Sequence, residues 1–421
     1  MGKWSAAMRS LIMEWARSSG IDAPFKRMRL PIPRLRQGSI LIHIINMTIW
    51  IDRDTALARL GVKPQTLYAY ASRGRIRVDC DPVDSRRSLY NADDIGEISV
   101  RKARGRKPAA IAVSSMDWGE PAIPTRLSTV HQGKLYYRGK DAMALAQSAT
   151  LEQVAALLWG TTQPPAFTSH AATGEIDPFA VLAALAATGK PIIGCGTDHL
   201  AHDAAIIVAN LALACGAASG NGALHERLAL GWGCDAAASD RIRQALVAMT
   251  DHDLNASTFA ARVAASTGAS LPACLLAGLC TLSGPRHGGA GEALRYLAVD
   301  ARHYGLEPAI RRWLEHDRML PGFGHNFYPD GDPRAALMLS GIMPTEEMKA
   351  LADCVLALTG LHPNCDFALA AMTEALSLPN DAPFRIFLLA RAVGWCAHVI
   401  EQNRDGTLIR PRGRYEGKLP V

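Results

Sequence analysis

The chain of 421 residues is 49% hydrophobic and 20% charged, which excludes an intrinsically disordered protein, and its length predicts two or three domains. Its formal net charge of +6 is uneven, because residues 1–46 sum to +6, residues 47–113 to +5 and residues 114–421 to −5. A basic front and an acidic body predict that the two parts have different roles.

Nine cysteines are present, none of them pairs as C-x-x-C, and most lie in apolar sequence. They predict buried free thiols in a reducing compartment, and neither a disulfide framework nor a zinc site. The N-terminus does not show the charged and apolar regions of a secretory signal. We therefore expect a cytoplasmic protein.

Residues 1–46 contain basic clusters and two prolines but no sustained hydrophobic period. They are expected to be disordered, or to be a mispredicted extension with translation beginning at Met47. A disordered basic arm could bind acidic surfaces. Neither alternative gives residues 1–46 a folded role.

Residues 47–98 predict a small module of helix, turn, helix and hairpin. Asp52 can cap a first short helix, Gly61 makes a turn, and Pro64 begins a second helix that runs to Ser72. The residues that follow alternate like the two strands of a hairpin. This order, with the run LGVKPQTLYAYASRGRI, resembles the winged helix-turn-helix of the MerR type, which implies a small DNA-binding domain before the main fold.

Binding in a DNA groove requires arginines that contact phosphates and a helix that presents polar side chains. The residues of the module that could contact DNA are Gln65, Thr66, Tyr68, Arg73, Arg86 and Arg87. The alternative is a degenerate module that serves packing or dimerisation.

Residues 99–113 are a basic segment that precedes the main body. The run RGRKP within it approaches a minor-groove AT-hook, although such pentapeptides often arise by chance. We interpret this segment as a solvated linker.

Residues 114–421 are predicted to be mostly helical, with apolar residues at i, i+3 and i+4. The clearest helices are 179–188, 203–218, 263–282 and 384–402. Their alanine-rich, nearly uncharged sequences predict helices buried on all sides, either in a multilayer core or in a large subunit interface. The helices at 203–218 and 263–282 are the candidates for that interface.

Two segments of the body allow an interpretation other than an ordinary helix of the core. Residues 263–285 are uncharged and long enough to span a bilayer, but their Ser, Thr, Pro and Gly favour a helix buried in the core. Within residues 119–138, the run LSTVHQGKLYYRG predicts a short strand, a glycine turn and a second strand.

Four polar residues stand in turns or loops between apolar helices, where histidines that merely fill a core would be unusual. They are His252 in TDHDLNAST, His287 in SGPRHGGAGEA, His325 in PGFGHNFYPDGDPRA and Asp366 in GLHPNCDFALAAM. Arg391 lies in an apolar helix and therefore needs a partner or a substrate anion. This set suits proton abstraction next to a carbonyl in a substrate that carries carboxylates. Taken singly, His287 and Asp366 could merely cap helices.

These segments, in this order, resemble those of the citrate synthase family. The similarity runs from about Pro124 to Pro420 and includes DHDLNAST, GPRHGGAGEA, GFGHNFYPDGDPRA, HPNCDFALAAM, ARAVGWCAHVIEQ and IRPRGRYEG. It implies a mainly α fold with a large and a small helical domain, in which the small closing domain spans about residues 288–390. It also implies a homodimer or a higher homo-oligomer.

The resemblance implies a role for each matching residue. Asp366 matches the base that takes a proton from the acyl-CoA, His287 the group that stabilises the enolate, and His325 the group that polarises the oxaloacetate ketone. The residues that match the ligands of the oxaloacetate carboxylates are His252, Arg334 and Arg391. Arg410 matches the arginine that reaches into the neighbouring subunit's site. No metal and no redox cofactor is expected.

Three positions depart from the family pattern. Asn326 and Pro329 stand where bacterial members often have basic residues, and Gly291 replaces the usual Asn. Because the family contacts CoA phosphates at the position of Pro329, the departures point to weaker or altered CoA binding. None of them removes a catalytic residue.

The leading hypothesis is condensation of acetyl-CoA with oxaloacetate, followed by hydrolysis of citryl-CoA to citrate and CoA. The alternatives are formation of 2-methylcitrate from propionyl-CoA, cleavage of citryl-CoA, and a DNA-binding metabolite sensor with a citrate synthase-like body. The sequence leaves the acyl preference open, because one methylene changes binding by only ~1–3 kcal/mol. The expected partners are oxaloacetate and acyl-CoA, a second copy of the chain and, in the sensor alternative, DNA. No membrane partner is expected.

Overall fold

The computed structural model describes residues 50–72, 75–80, 88–92, 94–96, 98, 123–169, 177–317, 319–411 and 417. The chain divides into two compact units, Met1–Ala110 and Ile111–Val421. The predictions for residues 1–46 and 99–113, and those for Arg73, Arg86 and Arg87, lie outside the described residues.

In the first unit, short helices and strands enclose a small apolar core. The elements are β1 (Trp50–Ile51), α1 (Arg53–Leu60), α2 (Pro64–Ser72), β2 (Val78–Cys80) and β3 (Ser88–Asn91). The strands pair antiparallel in the order β1-β3-β2, which confirms the predicted pairing of two strands after α2 and adds β1 at the edge. The core contains Ala56, Leu60, Leu67, Ile76, Tyr90 and Ile95.

The predicted boundaries of α1 and α2 are confirmed. The Asp52 carboxylate caps α1 by accepting a hydrogen bond of 2.7 Å from the Thr55 N–H. Gly61 ends α1 in the left-handed region, at φ +56°, and Pro64 opens α2. Local sequence chemistry is sufficient to set these helix ends.

The second unit begins with a small antiparallel sheet of β4 (Ser128–His131), β5 (Lys134–Tyr137) and β6 (Lys140–Asp141). The turn between β4 and β5 falls at Gln132 and Gly133, as the sequence predicts. The Tyr137 hydroxyl lies 3.1 Å from the carbonyl oxygens of Val247, Ala248 and Asp251. These contacts fix the sheet to the segment that leads into His252.

Helices make up most of the remaining described residues of this unit. They are α3 (Ala142–Ser148), α4 (Leu151–Trp159), α5 (Pro178–Thr188), α6 (Thr197–Ala214), α7 (Leu224–Gly231), α8 (Ala236–Ala248), α9 (Ala256–Ser266), α10 (Leu271–Leu282), α11 (Ala290–Tyr304), α12 (Leu306–Asp317), α13 (Pro333–Ser340), α14 (Glu346–Thr359), α15 (Cys365–Ala375) and α16 (Ala382–Asp405). The mainly helical architecture predicted for residues 114–421 is confirmed in this part of the chain.

The prediction of one continuous helix over 263–282 is wrong. The segment is divided between α9 and α10, and the break contains Gly268 at φ +80°. This left-handed backbone conformation strains any residue that carries a Cβ atom, so the turn favours glycine. The apolar periodicity gives no sign of this break, because the sequence is apolar both before and after it.

Within the single chain, α5 is not buried on all sides. Leu182 is its one fully buried residue, while Ala180, Ala183 and Ala184 are exposed. An apolar helix with an exposed face in a single chain agrees with the second predicted alternative, a subunit interface.

Two hydrophobic clusters fill the second unit. The larger one surrounds α16 and includes Trp159, Leu246 and Trp395. The smaller one joins α11, α12, α14 and α15 through residues such as Leu297 and Val355, and it lies within the span of about 288–390 predicted as a small closing domain.

Helix α16 is the central element of the larger cluster. It is long and apolar enough to cross a membrane, but 83% of its apolar window is buried inside the fold, as expected for the core helix of a soluble protein. Gly394 allows it to approach the loop before His252 closely, because a Cβ atom at this position would clash with the Thr250 carbonyl oxygen. The position of His252 therefore depends on a glycine in α16.

We expect Gly394→Ala to lower the free energy of unfolding by ~1–3 kcal/mol, because the added methyl overpacks a backbone contact that cannot yield easily. Urea unfolding measures the change. Gly291→Ala in α11 is the matched control, since a Cβ there meets only Pro383 at an ordinary 3.5 Å. Equal stability of the two variants would contradict the prediction.

Candidate active site

His252, Tyr328 and His325 form an aromatic group between the end of α8 and the turn before α13. The His252 Nε2 atom lies 2.9 Å from the Tyr328 hydroxyl oxygen, and the rings of His252 and His325 pack edge to face with 4.9 Å between their centres. Burial, together with the charge of Arg334, holds the pKa of His252 well below its usual value. His252 is therefore a neutral hydrogen-bonding group.

His325 is held in one tautomer by its own turn. The Phe327 N–H donates to His325 Nδ1 at 3.1 Å, so this nitrogen is unprotonated and the ring proton is on Nε2. Burial and the charge of Arg334 lower the pKa of His325 to about 4. The side chain is thus a neutral imidazole with an N–H donor, which suits the polarisation of a carbonyl oxygen.

His287 precedes α11 and is oriented by α9. Its Nε2 atom lies 2.8 Å from the Ser257 hydroxyl, which also lies 2.8 Å from Asn255 Oδ1. Burial lowers the pKa of His287 to about 4, and the charge of Arg391 adds to the effect. The backbone at Gly289, and not His287, caps α11, so a mere capping role for His287 is wrong.

Arg334 is buried in the first turn of α13 and is paired with Asp332. Its Nε and Nη2 atoms donate to the two carboxylate oxygens of Asp332 at 3.0 and 2.7 Å. The Cys365 N–H donates to the same carboxylate at 3.2 Å. Through its hydrogen bond from Cys365, the Asp332 carboxylate connects the start of α13 to the start of α15.

Arg391 is buried in the middle of α16 and is poorly paired for a buried cation. Within the described part of the chain, its Nε and Nη1 atoms have no hydrogen-bond partner. The nearest carboxylate oxygen is Asp251 Oδ1, 3.9 Å from Nη1, and the guanidinium lies 5.0 Å from the centre of the Phe387 ring. Because an unpaired buried cation is costly, this arrangement suits an incoming carboxylate.

Asp366 lies in the first turn of α15 and does not cap it. Asn364 is the cap, since its side-chain oxygen accepts hydrogen bonds from the N–H groups of Asp366 and Phe367. Burial raises the pKa of Asp366 to about 6, although the charges of Arg334 and Arg391 oppose the shift. A buried carboxylate with a raised pKa is typical of a general base.

The structure places six of the seven predicted catalytic and substrate-binding residues near one another, and the charges of Arg334 and Arg391 both act on Asp366. Phe387 links His287 to Arg391, with ring contacts of 5.5 and 5.0 Å. Tyr328 links His252 and His325 to Arg334, whose guanidinium lies 5.6 Å from the Tyr328 ring. The seventh residue, Arg410, is exposed beyond the end of α16.

Sequence reasoning did not single out three residues that organise this group. Asp251 contacts Arg391, Ser257 contacts His287, and Tyr328 contacts His252. Each lies within or beside a motif already noted for its histidine. Their proximity to those motifs was the available signal, but it does not reveal which atoms meet. The described residues contain no group of three or more His, Cys, Asp or Glu placed to hold a metal ion.

Comparison with known proteins places this arrangement in a family. Residues 199–412, about half of the chain, match the family model described as citrate synthase, C-terminal domain. "Citrate synthase 2" of Bacillus subtilis is 36% identical over 189 residues, 42% of this chain and 51% of the relative. "2-methylcitrate synthase 2" of Corynebacterium glutamicum is 34% identical over 187 residues, 42% of this chain and 49% of the relative. The chain thus spans about half the length of the curated relatives it matches.

Solved structures share the fold over a longer stretch. A citrate synthase from Thermotoga maritima superposes with a TM-score of 0.63 at 25% identity, covering 73% of this chain and 97% of that chain. A citrate synthase from Thermoplasma acidophilum, solved with carboxymethyl coenzyme A and oxaloacetate, gives 0.62 at 24% identity over the same shares. The latter likeness concerns the fold alone.

We expect Asp366→Asn to stabilise the protein at pH 8 and to have little effect near pH 4. The folded pKa of about 6 exceeds the unfolded value of ~3.9, so ionisation costs the folded state up to about 3 kcal/mol above pH 6 and nothing below pH ~4. Asparagine removes this cost. Urea unfolding of both proteins at the two pH values measures it.

The exposed Asp353 of α14 provides the matched control, and Asp353→Asn should change stability little at either pH. An Asp366→Asn variant whose advantage over the wild type does not grow with pH would show that the carboxyl is not held in a costly ionised state.

Proposed function

The chain belongs to the citrate synthase family, and from that premise we propose that it condenses acetyl-CoA with oxaloacetate and hydrolyses citryl-CoA to citrate and CoA. The observation that carries the proposal is the position of Asp366, a carboxyl group with a pKa of about 6 in the same site as neutral histidines and an underpaired arginine. These are the groups that enolisation of a thioester requires next to a carboxylate-bearing acceptor.

Oxaloacetate would be held through its two carboxylates. Arg391 offers one of them N–H groups that have no partner among the described residues. Arg334, through the Nη1 group that Asp332 does not engage, and His252 complete the binding site. Arginine suits this role because its planar N–H groups match the geometry of a carboxylate. Fixed carboxylates orient the ketone carbon toward the attacking nucleophile, which lowers the entropic part of the barrier.

Three side chains would perform the carbon chemistry. Asp366 takes a proton from the acetyl methyl group, and His287 donates a hydrogen bond to the thioester oxygen as it becomes an enolate. His325 donates its Nε2–H to the ketone oxygen of oxaloacetate, which takes up the electron pair as the new C–C bond forms. A neutral His287 can donate from Nδ1 only if its Nε2 atom is unprotonated. The Ser257 hydroxyl must then donate its hydrogen bond to His287 Nε2 and not to Asn255 Oδ1.

Propionyl-CoA is the alternative acyl donor, which would make 2-methylcitrate the product. The names of the relatives support both substrates, since they include citrate synthases and 2-methylcitrate synthases. Cleavage of citryl-CoA would use the same residues in reverse. Asn326 and Pro329 are both exposed, in keeping with altered contacts to CoA phosphates in each of these reactions.

A cytoplasmic homodimer, or a higher homo-oligomer, is the proposed assembly. The exposed apolar face of α5 supports an interface between copies of the chain, in which the helices 203–218 and 263–282 were the predicted participants. The exposed Arg410 would then be available to a neighbouring subunit's site.

We expect the purified chain to release thiol from an acyl-CoA only when oxaloacetate is present, and the ratio of the acetyl and propionyl rates names the product. Asp366→Asn should abolish turnover, because the base is lost, while oxaloacetate binding stays near the wild-type level. Spectrophotometric thiol detection and calorimetry measure the two effects. Asp353→Asn is the matched control and should retain both. Oxaloacetate-independent release, or turnover by Asp366→Asn, would refute the assignment.

A second candidate is a DNA-binding role for the first unit, as in a metabolite sensor. Gln65 is exposed, Thr66 is half-buried and Tyr68 is 47% exposed, so α2 presents a polar face. The exposed Lys63 lies just before this helix and adds positive charge. This face supports groove binding of the MerR type proposed from the sequence.

If the first unit binds DNA, its affinity for a duplex should fall steeply with salt, because binding releases counterions from the phosphates. Arg73→Ala and Arg86→Ala should weaken binding, whereas Lys134→Ala, an exposed site on β5 of the second unit, should not. Fluorescence anisotropy at several salt concentrations tests this. Salt-insensitive binding, or no binding, would eliminate the sensor.

A further inference from the structure

A fully buried polar cluster lies beside Arg391 and has no assigned part in the proposed chemistry. Its members are Ser128, Asp251, Arg262, His398, Glu401 and Gln402. Buried charges are retained at a cost in stability unless they are paired and hydrogen-bonded, so the function of this cluster needs an explanation.

The hydrogen bonds of the cluster fix the proton of His398. Arg262 Nη1 lies 3.1 Å from His398 Nδ1 and 2.8 Å from Glu401 Oε2. A guanidinium can only donate, so His398 Nδ1 must accept and be unprotonated. The ring proton is therefore on Nε2, which donates to Asp251 Oδ2 at 3.0 Å.

The two oxygens of Asp251 have different surroundings. Oδ2 accepts hydrogen bonds from both His398 and Ser128, the latter at 2.6 Å. Within the described residues Oδ1 has no hydrogen-bond partner, and it lies 3.9 Å from Arg391 Nη1. Asp251 thus attracts Arg391 electrostatically without accepting a hydrogen bond from the guanidinium N–H groups.

We propose that His398, with Ser128, is a positioning residue that holds Asp251 by one oxygen and so keeps the N–H groups of Arg391 available to a substrate carboxylate. A carboxylate released from these two donors could turn and pair with Arg391 in the bidentate manner seen between Asp332 and Arg334. That pairing would consume the donors that oxaloacetate needs. The inference rests on the proposed function, because it assigns the cluster to the binding of oxaloacetate.

The test compares His398→Leu with His398→Gln. Leucine removes the donor to Asp251, so the Kd and KM for oxaloacetate should rise ~10-fold or more, with a much smaller change in kcat at saturation and none in the KM for acetyl-CoA. Glutamine retains an N–H donor and should restore most of the affinity. A role confined to stability would instead lower the unfolding midpoint and leave oxaloacetate affinity unchanged in the folded molecules.

Cys396→Ala is the matched control on the same helix. Cys396 is buried and near Cys274, so its replacement should affect stability but not oxaloacetate affinity. If His398→Leu fails to fold, Ser128→Ala decides the question, because it removes the other hydrogen bond to Asp251 Oδ2 and should raise the Kd for oxaloacetate in the same direction.

The result for the wild-type protein separates the two proposals. A wild type that neither binds oxaloacetate in calorimetry nor releases thiol overturns the proposed function, and this inference with it. A wild type that does both, with unchanged oxaloacetate affinity in every folded variant of His398 and Ser128, overturns the inference alone.

Discussion

The charge of Arg391 in the middle of α16 is the constraint on which the rest of the site depends. The turns of the helix on either side of it, residues 386–390 and 392–397, are apolar and belong largely to the larger hydrophobic cluster, so a guanidinium there has few ways to be compensated. The fold supplies a carboxylate at 3.9 Å and an aromatic ring, and the described residues offer no hydrogen-bond partner to two of its nitrogens. Such partial compensation is unfavourable for a structural residue but useful for one that receives an anion.

Burial shifts the pKa of the carboxyl group and the pKa values of the imidazoles of the site in opposite directions. It raises the pKa of Asp366 to about 6 and lowers those of His287 and His325 to about 4, because in each case the charged form is disfavoured. Near neutral pH the carboxylate can accept a proton while the imidazoles remain neutral donors. A single physical cause thereby gives the carboxyl group and the imidazoles different protonation behaviour near neutral pH.

Those parts of the structure that depend on neighbouring residues could be predicted from the sequence, including the Asp52 cap, the β4–β5 turn and the motifs around the histidines. The break at Gly268 and the exposure of α5 could not, since they are set by contacts with other elements. The same holds for the hydrogen bond between Asp251 and His398, which joins residues 147 positions apart. Sequence patterns identify which residues are unusual, whereas long-range packing decides what each of them touches.

The hydrogen bonds around α15 have a mechanical consequence. Cys365 N–H is bonded to Asp332, Asn364 N–H to the Gly322 carbonyl, and Gly324 N–H to the His362 carbonyl. His325, Arg334 and Asp366 therefore lie on segments that are hydrogen-bonded to one another, while Arg391 lies on the core helix α16. If these segments shift relative to α16, Asp366 and His325 would move together. Their distance from Arg391 would change, so a ligand that contacts both Arg391 and His325 would be sensitive to such a shift.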